Sequence, residues 1–183
     1  MATDVPTGRV LITGGIRSGK SFEAERRLAG APAVTYVATS AETDDEEWAA
    51  RVAAHQARRP DRWTTVETLD VADLLRSTGA SDAPLLIECV NTWLAGTMAA
   101  AGCWENEPHA AKTLAEAVDD LADAWTTTRA RVIAVTNEVG LSLVPTTPAG
   151  RWFAEELGTL NARLATAADE VWLVVAGIPT RLR

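Results

Sequence analysis

Eight residues near the start of the chain, Gly14-Gly15-Ile16-Arg17-Ser18-Gly19-Lys20-Ser21, follow the spacing G-x-x-x-x-G-K-S. Each fixed type has a chemical reason for its place. Glycines let the backbone curl until successive N–H groups converge on a polyphosphate. The lysine ammonium reaches the β- and γ-phosphates, and the serine hydroxyl is a hard oxygen suited to Mg²⁺. Such a loop needs a strand before it and a helix after it. Val10 to Ile12 is apolar and reads as a short buried strand, and Phe22 to Leu28 reads as a helix. The N-terminus of that helix adds its own attraction for anions. A flexible Gly/Ser turn before an ordinary helix is the plainer alternative, and the flanking pattern argues against it. The stretch predicts a bound nucleoside triphosphate with Mg²⁺.

Other residues extend this chemistry. Pro84-Leu-Leu-Ile-Glu88 is an apolar run ending in an acid, the pattern of a buried parallel strand with a functional group at its C-terminal end. With its strand beside that of the phosphate loop, Glu88 would join Ser21 at the metal; a helix-capping carboxylate is the alternative. Glu138, between Asn137 and Gly140, is the rival acid. His55 falls on a predicted helix from about Asp44 to Arg58. It sits between an apolar strip containing Trp48 and Val52 and a cationic one containing Arg51 and Arg58. A lone histidine there is commonly a bystander, but a neutral imidazole flanked by cations is also a competent nucleophile toward phosphorus. Arg58, Arg59 and Arg62 surround Pro60, either as a solvated face or as a second phosphate contact. Thr39-Ser40 ends the second predicted strand on the ligand-binding edge. Glu67, after the strand from Trp63 to Val66, is placed to hydrogen-bond a ribose or base. His109, after Pro108, reads as solvated surface or a helix cap.

These residues need a scaffold, and the chain has the pattern of one. Predicted strands at Ala33–Ala38, Trp63–Val66, Pro84–Glu88, Arg131–Thr136 and Asp169–Ala176 alternate with helices. The helices include Asp70–Leu75, one from Asn91-Thr92 to about Ala101, and Ala110–Thr127 with Leu114, Val118, Leu121 and Trp125 on one face. Phe153, Leu157, Leu160 and Leu164 stripe a last long helix, Pro145 and Pro148 mark a loop, and Gly177 to Arg183 reads as a short tail. The pattern predicts an α/β sandwich with a mostly parallel sheet, residues 1–183 forming a single domain.

Composition narrows the partners. The 183 residues carry 23% charged side chains and a net charge of −8, which disfavours broad nucleic-acid or anionic-membrane binding. Cys89 and Cys103 lack metal-ligand spacing and suggest a reduced, intracellular protein. Met1 to Gly8 has no apolar signal-peptide segment, and no run approaches membrane-spanning length. The chain is therefore expected in the cytoplasm.

Several segments together resemble one family. Beyond Gly14–Ser21 they are Tyr36-Val-Ala38-Thr39-Ser40, Asp44-Asp45-Glu46 leading to Ala50-Arg51-Val-Ala-Ala-His55, and Arg59-Pro60-Asp-Arg-Trp63-Thr-Thr-Val-Glu67. Leu86-Ile-Glu88-Cys89, Thr136-Asn137-Glu138-Val139-Gly140 and Ala167-Ala168-Asp169-Glu170-Val171-Trp172-Leu173-Val174 complete the set. In this the chain is similar to the bifunctional adenosylcobinamide kinase/adenosylcobinamide-phosphate guanylyltransferases of cobalamin biosynthesis. The resemblance implies a RecA-like P-loop NTPase fold, a three-layer sandwich. It implies phosphorylation of adenosylcobinamide by ATP or GTP, then transfer of GMP from GTP to adenosylcobinamide phosphate. His55 matches the histidine guanylylated in the second step; where some relatives have another histidine just before it, this chain has Ala54. A homo-oligomer, in some relatives a trimer, is also implied. Two other classes compete: a monofunctional small-molecule kinase with His55 idle, and a regulatory NTPase that exchanges partners.

Overall fold

The structure, a computed structural model, describes residues 7–39, 59–105, 107–141 and 143–183. The expected helix bearing His55, together with Ser40 and Arg58, lies outside the described residues.

Each predicted strand forms, with shifted ends. The strands are β1 (Arg9–Gly14), β2 (Val34–Ala38), β3 (Trp63–Glu67), β4 (Leu85–Glu88), β5 (Val132–Asn137) and β6 (Glu170–Val175), followed by β7 (Ile178–Arg181). The helices are α1 (Lys20–Leu28), α2 (Val71–Ser77), α3 (Val90–Ala100), α4 (Ala110–Thr127) and α5 (Pro148–Ala167). Among the described residues the strands form one sheet in the order β3-β2-β4-β5-β1-β6-β7, parallel except for β7.

The apolar strands separate their side chains by alternation. Val10, Ile12, Leu86, Ile133 and Val135 face Ala24 and Leu28 of α1. Leu11, Leu85, Ile87, Val132 and Ala134 face the other way, into a core with Trp93, Met98, Leu114, Trp125, Leu157 and Leu164. Helices thus cover both faces, which makes three layers. Trp125 is fully buried and its indole N–H donates to the Leu164 carbonyl at 3.0 Å, joining α4 to α5.

Three expectations need correction. Strand β4 does not lie beside β1, because β5 pairs with both and separates them. Pro148 does not mark a loop but opens α5; it stands where a helix has no N–H bond to lose, and Thr147 accepts from Gly150 N–H. The tail is not a tail: Ala176 and Gly177, both at positive φ, turn the chain back so that β7 pairs antiparallel with β6.

Helix α1 is fixed to the sheet by charge as well as packing. Glu23, only 5% exposed, accepts from Arg26 at 2.8 Å and from Arg27 at 2.7 Å. The Arg27 guanidinium lies over the Trp172 ring, 3.9 Å from its centroid, and Trp172 Nε1 donates to Glu170 at 2.7 Å. Burial alone would push the Glu23 carboxyl up, but the hydrogen bonds and charges of Arg26 and Arg27 hold it below the usual value. Its stabilising contribution is therefore present above the ordinary glutamate pKa and is lost as pH falls through the lower folded value. Glu23→Gln should cost about 1–3 kcal/mol at pH 7. Denaturant midpoints of the two proteins should converge in acid, where the wild-type carboxyl is protonated too.

Candidate active site

The parallel register places the chemistry along one edge of the sheet. Glu67, Ala38, Glu88 and Val135 occupy one row, and β1 continues past that row to Gly14, where the phosphate loop begins. The loop is held from both sides. Glu138 N–H donates to the Gly14 carbonyl at 3.0 Å, and Gly177 N–H donates to the Ser18 carbonyl at 2.8 Å. The β6–β7 turn thereby braces the loop through the backbone.

Two glycines are sterically required there. A Cβ on Gly14 would stand 2.4 Å from the Val174 carbonyl oxygen and 2.6 Å from Ser18 Oγ. Gly19 has φ of 97°, and a Cβ on it would meet Gly177 Cα at 3.2 Å. Ile16 and Arg17 project outward at the tip, Ile16 being 79% exposed, whereas Ser18 and Lys20 are buried. Ser18 Oγ has no hydrogen-bond partner among the described residues. Lys20 Nζ donates to the Gly15 carbonyl at 3.1 Å, so the ammonium already lies over the loop. The first N–H groups of α1 have no carbonyl one turn earlier to bind, which leaves them to face the same space.

Glu88 reaches this loop although β5 intervenes. Ser21 Oγ donates to Glu88 Oε1 at 2.6 Å, because α1 packs across both β5 and β4. Adjacent to it, burial and the Glu88 charge push the Cys89 thiol up to about 11, so it is neutral at physiological pH. Burial, then the charge of Glu88, likewise raise the Tyr36 phenol far above its ordinary value. Both groups are therefore protonated and uncharged at neutral pH.

The remaining candidates are distributed less simply. The Thr39 side chain is not on an open edge: it is 1% exposed and its hydroxyl bonds Cys89 and Thr92. Arg59 lies over the Tyr36 ring, 3.3 Å from its centroid, and donates to Thr65 Oγ1 at 3.0 Å. Arg62 does not face a phosphate site; it donates to the carbonyls of Ala29 at 2.6 Å and Ala31 at 3.1 Å, closing the α1–β2 connection. Pro60 accepts from Trp63 N–H at 2.9 Å and turns the chain into β3. Glu67 is exposed at the end of β3, two strands from Glu88. Glu138 accepts from Gly140 N–H at 2.6 Å, which shapes its own loop. His109 caps α4 by position. Helix α3 begins at Val90 with Cys89 as its cap, two residues before the expected cap at Asn91-Thr92. Among the described residues no cluster of three or more His, Cys, Asp or Glu side chains is placed to hold a metal. A phosphate-loop Mg²⁺ needs no such cluster, since phosphate and water oxygens complete its shell.

Two braces of the site escaped the sequence reading. One is Asn161 on α5, which accepts from Thr136 Oγ1 at 2.7 Å and donates to the Asn137 carbonyl at 2.9 Å, fixing the end of β5. The other is the Gly177 bond to Ser18. Neither residue belongs to a local pattern that sequence spacing reveals.

The family described as "Cobinamide kinase / cobinamide phosphate guanyltransferase" matches residues 10–182. The "Bifunctional adenosylcobalamin biosynthesis protein CobU" of Salmonella typhimurium is 42% identical, the match covering 95% of this chain and 99% of the relative. The Escherichia coli protein of that name is 38% identical over 95% and 99% of the two chains. CobP of Pseudomonas aeruginosa, also named a bifunctional adenosylcobalamin biosynthesis protein, is 37% identical over 96% and 97%. Among solved structures, a prototypical ATPase from the type III secretion system of pathogenic bacteria superimposes with a TM-score of 0.54 at 14% identity. That match covers 92% of this chain and 51% of the ATPase. At that identity the likeness speaks for the fold alone, a RecA-like P-loop NTPase.

Proposed function

Because the chain belongs to the cobinamide kinase / cobinamide phosphate guanyltransferase family, we propose that it carries out both reactions of that name from a single phosphate loop. The substrates in this reading are adenosylcobinamide, ATP or GTP for the first step, and GTP for the second. The observation that carries it is the Ser21–Glu88 hydrogen bond of 2.6 Å beside a buried Lys20. That arrangement joins a hydroxyl, a carboxylate and an ammonium at the mouth of a nucleotide-binding loop.

In the kinase step, loop N–H groups and Lys20 bind the triphosphate and stabilise charge as it moves toward the leaving group. The cobinamide hydroxyl oxygen forms a bond to the γ-phosphorus and gives up its proton to solvent, the bond from that phosphorus to the β,γ-bridging oxygen breaks, and the nucleoside diphosphate leaves. In the second step a neutral His55 nitrogen bonds the α-phosphorus of GTP and pyrophosphate departs. An oxygen of cobinamide phosphate then takes the GMP group; the P–N bond breaks and free imidazole returns. Ser21 and Glu88 are oxygen donors of the kind a small hard cation prefers, so they fit Mg²⁺, whether directly or through water. Mg²⁺ held there supplies charge neutralisation on the phosphate oxygens. Glu88 is alternatively a ribose contact. Arg58, Arg59, Ser40 and Glu67 are assigned to the nucleotide on the sequence pattern.

Among the described residues no helix is long and apolar enough to cross a membrane. The proposal places the enzyme in the cytoplasm as a homo-oligomer, a trimer on the family pattern.

Product analysis tests the function. With GTP, Mg²⁺ and adenosylcobinamide, the phosphate should form first and the GDP derivative second, with one pyrophosphate released per GDP derivative. Arrest at the phosphate would leave a monofunctional kinase. Nucleotide hydrolysis without any corrinoid product would leave a regulatory NTPase.

A further inference from the structure

Thr39 follows β2, and its N–H continues the ladder by donating to the Glu88 carbonyl at 3.3 Å. Its hydroxyl donates to the Cys89 carbonyl at 2.7 Å and accepts from Cys89 N–H at 2.9 Å. The same oxygen lies 2.7 Å from Thr92 Oγ1, which itself lies 2.9 Å from the Cys89 carbonyl and 3.1 Å from Cys89 N. A hydroxyl offers one proton and two lone pairs. Whichever threonine donates to the carbonyl, the other proton passes between the two hydroxyls, and Cys89 N–H finds an acceptor. No donor remains for a nucleotide, and a side chain 1% exposed offers a nucleotide no approach.

The cage encloses the peptide immediately after Glu88. It also fixes the start of α3, for which Cys89 is the cap. A carboxylate on the last residue of a strand keeps its aim only if the backbone beyond it is held. Here that backbone is pinned from β2 by Thr39 and from α3 by Thr92, while the carboxylate meets Ser21 at 2.6 Å.

We propose that Thr39 is a positioning residue, whose hydroxyl holds the Glu88–Cys89 backbone so that the Glu88 carboxylate stays on Ser21. The inference rests on the functional reading above in assigning Glu88 and Ser21 to the nucleotide–Mg²⁺ site.

Thr39→Val keeps the branched shape and removes the hydroxyl; Thr39→Ser restores it. Positioning groups behind a metal site typically contribute 10- to 100-fold, so Thr39→Val should lower kcat of the kinase step by about 10- to 100-fold. Nucleotide affinity in EDTA should stay within about twofold, and the gain in affinity on adding Mg²⁺ should shrink. Thr39→Ser should recover most of the rate. Thr39→Val combined with Glu88→Gln should be no slower than Glu88→Gln alone, since both act through one carboxylate. Multiplying effects, failure of serine to rescue, or weakened binding in EDTA would each overturn the proposal. If Thr39→Val does not fold, Thr92→Val, which opens the same cage from α3, takes its place with the same outcomes. Should wild type transfer no phosphate to cobinamide, the functional reading falls, while the EDTA and Mg²⁺ binding measurements still decide the role of Thr39.

Discussion

Lys20→Ala should slow both activities together: kinase and guanylyl-transfer rates should each fall by about 10²- to 10³-fold, the cost of one preorganised donor at developing charge. The ammonium lies over the loop, 3.1 Å from the Gly15 carbonyl. In the proposed mechanism it would face the γ-phosphoryl group in the first reaction and the departing pyrophosphate in the second. Folding should survive, because alanine favours the first turn of α1 and Lys20 is not part of the apolar core. Lys20→Arg should rescue poorly, since a planar guanidinium does not fit where a compact ammonium sits. Steady-state rates of both reactions on the folded variant, verified by circular dichroism, decide the point. Loss of one activity with the other intact would mean two separate nucleotide sites.

His55→Ala has the opposite signature. Guanylyl transfer should fall by at least about 10⁴-fold, the scale on which loss of a covalent nucleophile is felt. Phosphorylation of cobinamide should stay within about threefold, because the proposed kinase step does not pass through the imidazole. Adenosylcobinamide phosphate should therefore accumulate in a reaction supplied with GTP. Separate assays of the two half-reactions measure this. A variant that still makes the GDP derivative at wild-type rate would assign the chemistry elsewhere. A variant that loses both activities would place His55 in binding rather than attack.

The phosphate loop was legible because its requirements are local: eight consecutive residues between a strand and a helix. The same holds for Glu88, an acid closing an apolar run. What the sequence could not disclose was the order of the strands. Nothing in Leu85–Glu88 records that β5 inserts between it and β1, since that order depends on how the helices cross the sheet. Ser21 and Glu88 meet nonetheless, because α1 spans the intervening strand. Strand β7 was hidden by its length and by Pro179, a residue tolerated there because β7 is an edge strand.

Polar residues at the sheet edge divide along the same line. Thr39 reads as closing the second strand and stands one residue past β2, but its hydroxyl bonds Cys89 and Thr92 at the start of α3, about fifty residues later. Arg62 reads as part of a phosphate-ready cluster, yet its guanidinium closes the end of α1 through the Ala29 and Ala31 carbonyls. In both cases the residue type states what bonds can be made, and only the three-dimensional neighbourhood states with whom. Helical spacing alone marks His55 as a candidate between an apolar and a cationic strip; family resemblance adds the implied role of guanylylated nucleophile.

The claim that a histidine carries GMP between nucleotide and corrinoid is met most directly by mixing the wild-type protein with GTP labelled at the α-phosphorus, without corrinoid. The account predicts one acid-labile, alkali-stable label per chain on His55, released pyrophosphate in equal amount, and complete discharge of the label into product on adding adenosylcobinamide phosphate. Protein that stays unlabelled while still making the GDP derivative would contradict it.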